Sequence, residues 1–158
     1  MSSFHVAMLV LLIGFVAGLR TMTSPAIVSW AACLGWLNLR GSKLAFLGSL
    51  LAVIFLSMGA IGEFIADKLP RTGNRTALGP LIARSISGGL CGAALSIAAT
   101  QSVSMGIALG VIGALIGSFA GYHARVGLVR RLAVADALIA IPEDLVAIGL
   151  AILAVPRV

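Results

Sequence analysis

Gly59-Ala60-Ile61-Gly62-Glu63-Phe64-Ile65-Ala66-Asp67-Lys68-Leu69-Pro70 closes an apolar run that begins near Leu44. Gly59, Glu63 and Asp67 recur every fourth residue, so a helix puts them on one face with the two carboxylates about one turn apart. Water solvates such a pair at little cost. Hydrocarbon does not, and an acid inside a membrane-spanning helix needs a partner, a wet cavity or a function. The surroundings of this run therefore decide both the fold and the meaning of the acids.

Composition supplies the surroundings. Of 158 residues, 60% are hydrophobic and 10% charged, against roughly half and a quarter in a soluble domain. A core of this size cannot hide the surplus, so lipid must cover much of the surface. Eleven Lys and Arg stand against five Asp and Glu, a net charge of +6. The basic residues gather between apolar runs. That is the pattern of cytoplasmic loops and not of a nucleic-acid surface, so the bilayer is the expected partner and nucleic acid is not. Length limits the chain to a single integral membrane domain over residues 1–158. The first five residues carry no Lys or Arg and no cleavage site follows residues 6–19, so that run reads as a retained helix.

A bilayer core of about 30 Å takes roughly 20 residues of helix. Apolar runs cover residues 4–19, 26–37, 44–68, 79–100, 105–122 and 133–155. The first two flank Arg20-Thr21-Met22-Thr23-Ser24-Pro25, where Pro25 blocks helix continuation and Ser24 is placed to cap a new helix. They read as two short helices joined at a polar break, or as one helix interrupted inside the membrane. The expected fold is all-α, a polytopic transmembrane bundle of five to six spans with its first element broken near Arg20–Pro25. The run over 44–68 is expected to be the longest unbroken span, and 123–131 a basic loop. Lys68, Arg71, Arg75, Arg125, Arg130 and Arg131 then fall on one face, which is cytoplasmic, with Arg40, Lys43 and Arg157 opposite.

Small residues recur at Gly88, Gly92 and Ser96, at Gly106 and Gly110, and at Gly113, Gly117 and Gly121. Such rows let helix backbones approach closely in lipid, and the Gly113, Gly117, Gly121 face is the expected seam of a homodimer. Two registers of internal similarity compete. One sets Leu51 through Asp67 against Leu109 through Arg125. The other sets Ala60-Ile61-Gly62-Glu63 against Ala140-Ile141-Pro142-Glu143. In a six-span chain the second relates oppositely oriented segments, an inverted repeat of the kind transporters build around broken helices. It is favoured slightly because it pairs two acidic elements.

Glu143 and Asp144 fall near the middle of the last run, beside Pro142. A charge at mid-span costs about 2.5–3.5 kcal/mol on insertion scales. At least one of these acids should be protonated, paired with arginine, or turned to a wet cavity. With Glu63 and Asp67 they are the candidates for ion or proton coupling. The plainer expectation has Asp67 reaching water beside Lys68 or Arg71, and Glu143 or Asp144 in a structural pair with Arg20 or Arg84. Arg20 with Thr21, Thr23 and Ser24 brings a guanidinium, hydroxyls and backbone N–H groups to a helix start, a combination able to hold an anionic group. Arg84 is the second counter-charge. The plainer reading of Arg20 is an interfacial side chain snorkelling to headgroups. His5 and His123 are isolated, and Cys33 and Cys91 lack zinc or redox spacing, so no metal and no cofactor is expected. No Gly-rich phosphate loop, nucleophile elbow, HExxH or CxxC motif is present, and the chain is read as non-enzymatic.

Gly18-Leu19-Arg20-Thr21-Met22-Thr23-Ser24-Pro25, then Glu63 through Pro70 with Arg75 following, then Pro142-Glu143-Asp144, together resemble a bacterial family over nearly the whole chain. It is similar to the small multi-pass proteins of the domain-of-unknown-function family DUF4126. The resemblance implies a bacterial inner-membrane location and treats the Arg20, Glu63/Asp67 and Glu143/Asp144 elements as one constellation. It implies no substrate. The expected function is a permease-like membrane protein, binding or moving a small anionic solute with proton or cation coupling through the acids. The alternative is a structural or assembly protein whose charges are interhelical ion pairs.

Overall fold

The computed structural model describes residues 2–66, 78–132 and 136–155, with side chains at all of these except 125, 126 and 128–144. Six α-helices and one 3-10 turn make up the described residues, with no strand. They are α1 (Ser3–Leu19), α2 (Thr23–Cys33), the turn Ala45–Gly48, α3 (Leu50–Ala66), α4 (Leu78–Ala98), α5 (Val103–Leu132) and α6 (Asp136–Ala154). Two of the helices, Leu78–Ala98 and the stretch Val103–Ala124 of α5, are long and apolar enough to cross a membrane.

The centre of the bundle is α1, which packs on α5, α4, α6 and α2. It has no charged residue, and Val10, Ile13, Val16 and Ala17 on it are fully or almost fully buried. Glycine sets how closely its neighbours come. A Cβ on Gly14 would overlap the Gly110 carbonyl, and one on Gly18 would overlap Ala114 and Ser118, so α1 and α5 run parallel in backbone contact. On the adjoining face of α5, Gly106 and Gly110 meet Gly92 and Gly88 of the antiparallel α4. Ser118 adds a hydrogen bond to the Gly18 carbonyl at 3.2 Å. Of the row Gly113, Gly117 and Gly121, the first two are engaged within this chain. Gly113 and Gly117 lie against the backbone of Leu11 and Phe15 of the same chain, and Gly121 is buried.

Three element boundaries also depart from expectation. Ser24 does not cap α2. The helix begins at Thr23 with Met22 as a cap lacking a side-chain bond, and Pro25 sits inside the first turn, where its missing N–H is harmless. The run over 44–68 is not one helix. Ser49 adopts extended backbone after the 3-10 turn, and its hydroxyl accepts from Ala52 N–H at 3.2 Å to start α3 afresh. Residues 123–131 are helical, because α5 continues to Leu132. The backbone of α6 runs through Pro142 without interruption.

The segment between α2 and α3 is largely exposed but pinned to the bundle at a few points. Gly35 at φ +78° ends α2 in a Schellman turn, with Gly35 N–H donating to Ala32 and Trp36 N–H to Ala31. Leu37, Leu39 and Leu47 are buried, and the Ser29 hydroxyl donates to the Leu47 carbonyl. The α4–α5 turn closes similarly, with Gln101 N–H donating to Ser96 at 2.8 Å, but here Thr100 holds the left-handed conformation at φ 54°. That region is strained for a β-branched residue. Thr100→Gly should therefore stabilise the fold by about 0.5–1 kcal/mol, read as a raised midpoint in detergent unfolding. An unchanged or lowered midpoint would refute the strain.

Candidate functional site

The break between α1 and α2 is the place where polar chemistry gathers. Arg20 closes α1 in extended conformation, its N–H donating to Val16 at 2.8 Å, and two residues later α2 begins. The chain thereby leaves backbone groups of Thr21 and Met22 outside both helices. The two N–H groups and the Thr21 carbonyl find side-chain partners on α3 and α4. Thr21 N–H donates to one carboxylate oxygen of Glu63 and Met22 N–H to the other, both at 2.8 Å. The Thr21 carbonyl accepts from the Ser87 hydroxyl of α4 at 2.6 Å. An ionised carboxylate at the start of α2 also suits the positive end of that helix dipole.

The placement of Glu63 follows from the helix face read in the sequence. Gly59, one turn earlier, lies against the Met22 side chain, and the missing Cβ lets α3 come close to the break. Glu63 is half-buried there. Its neighbour Phe64 lies under the guanidinium of Arg20, with Cζ 5.1 Å from the ring centroid. Arg20 has no exposed surface at all, so the expectation that it snorkels to headgroups is corrected: it is enclosed by the bundle. Thr23 is buried, and its hydroxyl has no hydrogen-bond partner among the described residues. Ser24 is buried too, and donates to the Ile13 carbonyl of α1 at 3.1 Å, clasping the two arms of the break.

Arg84 is 6% exposed, one turn before Ser87 on α4. The structure thus draws Arg20, Thr21, Thr23, Ser24 and Glu63 into one region and brings the Arg84 helix to it through Ser87. Asp67 lies outside the described residues, as do the side chains of Glu143 and Asp144, whose backbone belongs to α6. Among the described residues no cluster of three His, Cys, Asp or Glu could hold a metal ion. Ser87 and Phe64 were not anticipated. Their signal was position: Ser87 is a turn from Arg84, and Phe64 follows Glu63.

The parts of this region come from α1, α2, α3 and α4, and one family model spans them all, matching residues 7–156. The chain belongs to the family described as Domain of unknown function (DUF4126). No curated protein and no solved structure matches it. In this DUF4126 chain the two N–H groups at the break hold the Glu63 carboxylate, with the Arg20 guanidinium over the neighbouring Phe64 ring.

Proposed function

We propose that this chain is a multi-pass, permease-like membrane protein in which the α1–α2 break binds and passes a small anionic solute. The observation that carries the reading is the Glu63 carboxylate on the N–H groups of Thr21 and Met22. A carboxylate occupies the position that the oxygens of an anionic solute would take. The solute replaces Glu63 there, with Arg20 supplying charge and the Thr23 hydroxyl a further hydrogen bond. Protonation of Glu63 weakens its hold on the two N–H groups and so couples a proton to the exchange. Glu143 and Asp144 complete the proton route. The membrane setting is supported by the two long apolar helices. It is supported further by α3, whose Leu51 and Phe55 are each 81% exposed. A soluble surface rarely carries such a face. Five to six spans in a bacterial inner membrane, and an inverted three-plus-three repeat, belong to the same proposal.

Flux in proteoliposomes tests it. Wild-type protein should show pH-dependent movement of small carboxylates or phosphate-like anions, and Glu63→Gln should lose the pH dependence. Absence of flux and of solute binding across a broad anion screen would defeat the reading. The assembly-protein reading draws on a different observation: α3 rests chiefly on α2 and the 3-10 turn, so Glu63 serves as its tie. On that reading no anion moves, and Glu63→Gln changes stability alone.

A further inference from the structure

A groove of about 720 Å³ runs along the outside of α4 and α5. On α4 it is lined by Ile86, Gly89, Leu90, Ala93 and Ile97, a single stripe at helical spacing. On α5 it is lined by Val103, Ile107 and Val111, again one stripe. Gly89 lowers the floor: a Cβ there would press on the side chain of Val111 at 3.3 Å. Ser85 lies toward one end, and Lys43 with Leu44 reaches the groove from the connection between α2 and α3.

Length and direction give the groove a meaning. From Ser85 to Ile97 is twelve residues of helix, roughly 18 Å at about 1.5 Å per residue. One leaflet of hydrocarbon is about half of a 30 Å core. The groove is therefore one leaflet deep. Its end also follows from the packing. Thr21, just before α2, bonds Ser87 of α4; Ser24 bonds Ile13, so α2 turns back along α1 toward Val10, which lies by Gly92 of α4, and Ala32 near the end of α2 lies by Gly48 just before α3. The connection bearing Lys43 thus stands at the end of the bundle where Ile97, Val103 and the α4–α5 turn lie. On the membrane reading, the Lys43 ammonium at that level meets the depth of lipid phosphates, with an apolar trough beside it.

We infer that this groove seats one acyl chain of an anionic glycerophospholipid whose phosphate pairs with Lys43. The volume lies within the range of ligand sites, about 300–1,000 Å³. The inference rests on the membrane reading above but on neither anion transport nor Glu63.

The test uses full-length protein in vesicles of phosphatidylcholine doped with phosphatidylglycerol bearing a photoreactive acyl chain, the labelled peptides being mapped by mass spectrometry. Labelling should concentrate on Ile86, Leu90, Ile97, Val103 and Ile107. Lys43→Gln should lower it about fivefold, the weight of one lysine against an anionic surface. Lys43→Arg should retain it, and the same photoreactive chain on phosphatidylcholine should label like Lys43→Gln. Val103→Trp, which fills the mouth and leaves the charge in place, should lower it at least as much. Labelling spread evenly over α3 and α4, or indifferent to headgroup and to Lys43, would overturn the inference. Resistance of the protein to carbonate extraction from the vesicles is scored separately, so a failure to insert is told apart from a failure to select the lipid.

Discussion

Gly110→Leu should abolish the native bundle, lowering stability by about 3 kcal/mol or more, the upper part of the range for overpacking a close contact. Gly110 is where three helices touch. Any Cβ there overlaps the Gly88 carbonyl of α4, and the Gly110 carbonyl itself lies where a Cβ of Gly14 on α1 would be. Both obstacles are backbone, which cannot rotate aside as a side chain can. Relief requires α1 or α4 to move off α5, and with it the Ser118–Gly18 and Ser87–Thr21 bonds are strained. Unfolding in mixed detergent, followed by tryptophan emission, measures the effect. Gly62→Ala is the matched control, since nothing lies within 4 Å of a Cβ at that position; it should change stability by less than about 0.5 kcal/mol. Equal stability of the two variants would mean that the helices do not meet as described.

Glu63→Ala should cost about 2–4 kcal/mol, because two N–H groups each lose a charged acceptor worth roughly 1.5–3 kcal/mol and partial exposure lets water repay some of it. Glu63→Gln should fall between alanine and wild type: its carbonyl oxygen can accept one of the two bonds, while its amide nitrogen opposes the other. The loss should be local. Trp30 donates to Ser57 at 3.0 Å across the same α2–α3 contact, so its emission should change before global unfolding does. Wild-type stability of Glu63→Ala would show that the carboxylate does not tie α3 to the break.

Much of this was legible in the chain itself. Helix positions followed from the apolar runs, and the polar break at Arg20 followed from charge and hydroxyls too dense for a straight span. The four-residue spacing of Gly59 and Glu63 gave the face turned to α2. The partners of that face were not legible. Glu63 satisfies main-chain N–H groups, and the backbone carries no sequence signal of where its groups lack partners. The glycine row on α5 was readable as a close-contact surface, but spacing cannot say whether the contacting backbone belongs to the same chain. The Ser49 break was hidden because residues 44–48 are as apolar as the helix that follows. The extension of α5 past Tyr122 was hidden because Arg is at once a good helix former and a mark of loops.

The glycine contacts of α1 have a consequence for the order in which the bundle can be built. Gly18 and Ser118, bonded in the finished fold, are 100 positions apart. A ribosome delivers α1 long before α5 exists, so the helix at the centre of the structure is also the one that must wait longest for its partner. Assembly can close only when the fifth helix arrives, and a nascent chain halted before residue 103 should leave its earliest helix loosely held and open to quality-control proteases.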